Sequence, residues 1–134
     1  MEIFNPLPQL LDFRIFAPTI LRLALALLFI YAGYRHWKMR EETAKIVFPV
    51  VGQGEWVAWV AAAFHAAVGL MLFFGYYTQI AALLGILGSL KAFFFARKYP
   101  AVFFFSRSTY VLILAICLSL MLSGAGRLAF DLPL

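Results

Sequence analysis

An all-α integral membrane protein, built as an antiparallel four-helix bundle, is the architecture this chain encodes, on three grounds. Of its 134 residues, 65% are hydrophobic and only 13% are charged, against about 45–50% and about 25% in ordinary globular domains. So short a chain cannot hide that much apolar surface in one water-facing core. The charges are also shut out of long blocks, with none at all between Trp56 and Leu90. Finally, each block ends in a basic or glycine-containing break, so consecutive helices reverse direction.

Residues 1–17 carry Pro6, Pro8, Asp12 and Arg14 and read as an interfacial lead-in. They lack the basic n-region and small-residue cleavage site of a secretory signal. Pro18 suits the first turn of a helix, where its missing N–H costs nothing. From it "PTILRLALALLFIYAGY" runs to Tyr34 before the charged "RHWKMREE", which places helix one at about residues 18–35. Residues 36–55 form the longest loop, with Pro49, Gly52 and Gly54 as breakers and Trp37 and Trp56 as headgroup-level anchors.

The uncharged stretch from Trp56 to Leu90 would make one helix about 50 Å long, against a hydrocarbon core of about 30 Å. It must fold back on itself, and "GYYTQ", Gly75 to Gln79, supplies the break. Helix two is therefore expected at about 56–76 and helix three at about 78–96. The basic, aromatic "RKYPAVFFFSRS" follows. Helix four is expected at about 109–123, closed by the small residues of "SGAGR" and a tail carrying Asp131. Ala81, Gly85 and Ser89 recur at the four-residue spacing that lets helices approach closely in lipid, as do Ala58, Ala62, Ala66 and, nearly, Gly69. The whole of residues 1–134 reads as a single transmembrane domain.

The net charge is +5 and the pI about 9.7. The basic residues lie between apolar blocks and no nucleic-acid motif accompanies them, so nucleic acid is not an expected partner; lipid is. Arg35, Lys38, Arg40, Lys45, Arg97, Lys98 and Arg107 fall on the two loops of one side. The positive-inside rule then puts both termini outside the cytoplasm.

Titratable groups at membrane depth are functional candidates by default. Here they are Arg22, His65 and Lys91. His65, Lys91 and Tyr31, with Cys117 at a comparable depth, would line one polar pocket if their helix faces agree. A histidine there can donate to a quinone oxygen and titrate near neutral pH. The same residues have a structural reading, in which His65 bonds a neighbouring helix and Lys91 snorkels towards the basic loop. Arg22 is expected to form a structural ion pair with Asp131, tying the tail to helix one.

Other chemistry has little support. His36 and His65, the two histidines, are expected at different depths, so neither a metal cluster nor a haem site is expected. There is no phosphate loop, nucleophile elbow or carboxylate pair, hence no catalytic residue is assigned. Glu55 reads as solvated and Cys117 as an inert apolar side chain. Phe93 to Phe95 and Phe103 to Phe105 read as lipid-facing and interfacial surface.

The chain resembles the DoxX family of small four-helix membrane proteins. That family opens its first helix with an "LLRLALGLLF" run closed by glycine, matched here by "ILRLALALLFIYAG" with Arg22 and Gly33. Its "GGLLLLLGLLTRLAALLL" turn is matched by "AVGLMLFFGYYTQIAALLGIL", and its closing "TGPGRLSLD" by "SGAGRLAFD", Ser123 to Asp131. Three positions depart from the pattern. His65 stands where relatives commonly carry a glutamate, Gln79 replaces the arginine of the turn, and Ala129 replaces a serine.

The resemblance implies a bacterial or archaeal cytoplasmic membrane. It also implies a role as an accessory subunit of a membrane oxidoreductase or quinone-linked complex, with a redox protein as partner. Rival readings are a small-solute permease acting as a homodimer, since four helices alone lack the repeats of most transporters, and a structural anchor for another protein.

Overall fold

In the structure, a computed structural model that describes residues 7–131, the chain is an all-α membrane bundle of four apolar helices. They are α1 (Ala17–Lys38), α3 (Glu55–Phe74), α4 (Thr78–Phe95) and α5 (Arg107–Ser123), with a short α2 (Arg40–Ala44) between the first two. The expected lead-in is a 3-10 helix, Pro8–Phe16, that passes directly into α1; residues 1–6 lie outside the described residues. α1, α3 and α4 are each long and apolar enough to cross a bilayer. The 17 residues of α5 come to about 25 Å at 1.5 Å per residue.

The first helix does not stop where the charges begin. α1 continues through Arg35 and His36 to Lys38, and after Met39 the chain resumes as α2. The Thr43 N–H and hydroxyl both donate to the Met39 carbonyl, each at 3.0 Å. Arg, Lys, Met and Glu are good helix formers, so "RHWKMREE" ends the hydrocarbon portion of the rod without ending the helix. The remaining loop closes on itself at Phe48 and Gly52, which exchange backbone hydrogen bonds of 2.9 and 3.0 Å.

At the opposite end, α3 stops on Gly75, whose φ of +67° puts it in the left-handed region that a side chain disfavours. The Tyr76 N–H reaches the Met71 carbonyl at 2.9 Å and the Gly75 N–H reaches Leu72 at 3.3 Å. That is a Schellman closure, and it lies where "GYYTQ" predicts the break. At the start of α5 the Ser106 hydroxyl accepts from the Thr109 N–H at 3.2 Å, so the helix begins two residues earlier than expected.

Around the bundle the order is α1, α3, α4, α5 and back to α1, with every neighbour antiparallel. The tightest pairs are α1 with α3 and α4 with α5, and small residues make them so. A β-carbon on Gly69 would lie 2.7 Å from Ile30 Cγ1 and 3.0 Å from the Ile30 nitrogen. Gly85 of α4 faces Cys117 of α5 and Phe29 of α1 in the same way. Leu25, Phe29, Val68, Leu72, Ala82, Cys117 and Leu120 fill the centre.

The outer surface is as apolar as the core. Ile20, Leu27, Val60, Leu87, Leu112 and Leu122 are all exposed, a burden that water would not tolerate and lipid does. Exposed Trp37 and Trp56 mark the basic end and exposed Tyr76 and Tyr77 the other, in the manner of interfacial aromatic belts.

Candidate functional site

The buried stripe of α1 reads Arg22, Leu25, Ala26, Phe29, Ala32, Gly33, His36, the three-and-four spacing of one helical face. It is apolar in the middle and polar at both ends. Arg22 and His36 stand about 21 Å apart along it, one at each end of the bundle, and their surroundings differ in kind.

Arg22 is 1% exposed and is held wholly by backbone oxygens. Its Nη1 donates to two carbonyls of the last turn of α3, Leu72 at 2.6 Å, which also accepts the Gly75 N–H, and Phe73 at 2.8 Å. Its Nε donates to Ala125 at 3.0 Å, and Nη2 donates to Leu128. The tail is fastened further by Asp131, whose own N–H donates to the Gly75 carbonyl at 2.8 Å. The Asp131 carboxylate accepts from the N–H groups of Tyr77 at 2.8 Å and Thr78 at 2.7 Å, at the start of α4.

The expected Arg22–Asp131 pair therefore takes another form. The two share a corner and interact through space, but each spends its hydrogen bonds on backbone. Helix ends present unpaired amides and carbonyls, and these outcompete a side-chain partner. Burial pushes the Asp131 carboxyl up, yet the Thr78 and Tyr77 donors and the Arg22 charge together hold it below the usual carboxylate range.

His36 meets different company. Its ring lies 4.7 Å, centroid to centroid, from that of His65 on α3, although the two were expected at different depths. The physical reason is the prolonged first helix. Because α2 carries the rod onward and packs beside the start of α3, His36 is well inside the packed length rather than at its end.

His65 Nδ1 lies 2.7 Å from the Ala61 carbonyl. A carbonyl only accepts, so Nδ1 carries the proton and Nε2 is left as an acceptor. The His36 imidazole has no hydrogen-bond partner among the described residues. Phe29 stacks on His65 at 5.7 Å, Phe64 meets it edge-on at 5.4 Å, and Phe104 packs on His36 at 5.5 Å. Above Phe104 sits the Arg35 guanidinium, 4.9 Å from the ring centroid, and Arg35 Nη1 donates to the Tyr31 hydroxyl at 3.3 Å. Two imidazoles, one with a bare acceptor nitrogen, thus stand between aromatic faces at the basic end of the bundle.

Of the residues predicted for a pocket, His65 is at this site and half-buried. Tyr31 is at its rim, joined to the histidines through Phe104. Lys91 is exposed on α4 and does not join them. Cys117 is buried among Gly85 and Phe29, one ring away from His65. Phe104 and Phe105 pack on Tyr31 of α1 and Phe103 is partly buried against the core, so these three are not simple lipid-facing surface. Phe94 and Phe95 are exposed as expected, and Phe93 lies under the Arg107 guanidinium at 4.1 Å. Among the described residues no three metal-ligating side chains converge.

The sequence model of the DoxX family matches residues 17–98, more than half of the chain. The chain belongs to the DoxX family. The match takes in Arg22 and both histidines of this DoxX protein and stops short of the tail, Ser123 to Asp131. No curated protein and no solved structure matches the chain.

Sequence reasoning missed His36; the signal that could have found it is its place on the stripe that begins at Arg22. Its position among charged residues hides that. Phe104 carries no local signal, because only the folding of the 99–106 loop brings it over His36.

Proposed function

We propose that this DoxX-family protein is an accessory subunit of a membrane oxidoreductase, and that it holds a quinone headgroup at the His36–His65 pair. The observation carrying this reading is the pair itself: two imidazoles with spare hydrogen-bonding capacity, between aromatic rings, in a membrane helix bundle.

The residues fit such a group. Phe104 and Phe29 hold the two imidazoles between aromatic rings, and His36 can donate to a quinone oxygen or accept from a quinol hydroxyl. His65 Nε2 accepts the second proton-bearing contact, while its Nδ1–H is pinned to Ala61 and fixes the ring. Arg35, over Phe104, orders the rim. A bound quinone would supply paired electron and proton transfer; the chain supplies the orientation and a place for a proton. Lys91 takes no part. The basic loops around the site face the cytoplasm in this reading, by the positive-inside rule.

The test is purification of the protein with its native partners in mild detergent, followed by quinone extraction. Wild type should retain a quinone and a redox protein. His36→Leu and His65→Leu should each lower quinone content about tenfold, the value of one good hydrogen bond to a ligand. Unchanged quinone content in both variants overturns the reading. A Lys38→Cys variant labelled from outside the cell overturns the orientation.

A further inference from the structure

At the end away from the histidines, the tail, the start of α4 and the lead-in helix enclose a groove of about 750 Å³, within the range of small-molecule sites. One part of its lining is apolar: Ile15, Pro18 and Ile80. Ile15 and Ile80 are also exposed on the outer surface, so this wall runs out to where lipid packs. Another part is charged, with Arg127 and Asp131 of opposite sign both lining the groove.

Neither charge is used up. Each Asp131 oxygen accepts one backbone N–H, and a carboxylate has about four acceptor positions. Arg127 is exposed, and its guanidinium makes no hydrogen bond among the described residues. The groove also lies beside Tyr77, at the level of the aromatic belt, which is headgroup depth.

We propose that this groove binds one phospholipid with an ethanolamine headgroup: its phosphate on Arg127, its ammonium on Asp131, and an acyl chain along Ile15 and Ile80. The charge pattern selects the headgroup. A glycerol headgroup brings an anion without a cation and leaves Asp131 facing negative charge. A choline headgroup has no N–H to donate to the carboxylate, whereas a primary ammonium has three. The site is independent of the histidine pair and of any redox role.

The full chain should be reconstituted in vesicles of equal parts phosphatidylethanolamine, phosphatidylcholine and phosphatidylglycerol, then released in mild detergent for native mass spectrometry. One phosphatidylethanolamine should be retained about tenfold over either competitor, the worth of one charge-assisted contact. Arg127→Glu should lose that selectivity, Arg127→Lys should keep part of it, and Lys98→Glu, at the other end, should leave it unchanged. Equal retention of the three lipids, preference for the glycerol or choline lipid, or full retention by a folded Arg127→Glu overturns the proposal. If Arg127→Glu does not fold, the wild-type selectivity alone decides.

Discussion

The two polar ends of α1 are buried alike and used differently. Arg22 has its guanidinium committed to four backbone carbonyls from α3 and the tail. His36 meets aromatic faces and another imidazole. A buried polar group costs several kcal/mol if left unpaired, so the saturated arginine reads as a fastening. The unpaired imidazole of His36 keeps capacity for something that is not protein. Burial marks both as candidates; only the count of satisfied donors separates them.

The largest effect should come from Arg22→Ala. It strips a charged donor from four carbonyls, at about 1–3 kcal/mol for each group left short of a partner, so the variant should lose more than about 3 kcal/mol in a detergent unfolding titration. Exchanging the charges, Arg22→Asp with Asp131→Arg, should fail to restore it, because the partners are backbone oxygens; recovery in the double variant would mean that a direct pair carries the stability.

Gly75→Ala should come next. Gly75 holds φ +67°, and a β-carbon there would run into the Ala129 β-carbon and lie 2.8 Å from Arg22 Nη1, so a cost of about 1–3 kcal/mol follows from backbone strain and a displaced tail and guanidinium. Measured together with Arg22→Ala, the two losses should be less than additive, since they damage one contact. Full additivity would separate the turn from the fastening.

A smaller effect is expected from pH. The folded Asp131 carboxyl lies below its unfolded value, so its contribution is present above about pH 4 and is lost as the pH falls through the folded pKa. Asp131→Asn should flatten that acid-side slope in an unfolding titration, and an unaltered slope would assign it to another carboxylate. The smallest effect on stability should belong to the histidines. His36→Phe keeps the aromatic packing and gives up no protein hydrogen bond, so it should shift stability by less than about 1 kcal/mol. A loss rivalling that of Arg22→Ala would erase the contrast between the two ends.

How far each end could be read in advance follows from the range of its interactions. The four apolar helices and the turn at Gly75 were legible because hydropathy and glycine act locally. The corner at Arg22 was half legible: its residues were named, but the partners are carbonyls, which every residue has and no sequence displays. The histidine site was least legible. Charges around His36 mimic a helix end, while the register that places it beside His65 is set by packing of α2 and by close approach at Gly33 and Gly69. Lys91 misled for the converse reason, since hydropathy gives depth without giving the direction a side chain points.

The fastening at Arg22 also sets a timetable for making the protein. Leu72 and Phe73 follow it by 50 and 51 residues, Ala125 by 103 and Leu128 by 106. At about 5–20 residues per second, the last acceptor is synthesised roughly 5–20 s after the arginine. During that interval helix one carries a cation that still lacks part of its set of carbonyl partners. The segment from Ala125 to Leu128 therefore completes the coordination of a charge laid down in helix one, and a chain truncated before Leu128 should be degraded faster in the cell than one that carries it.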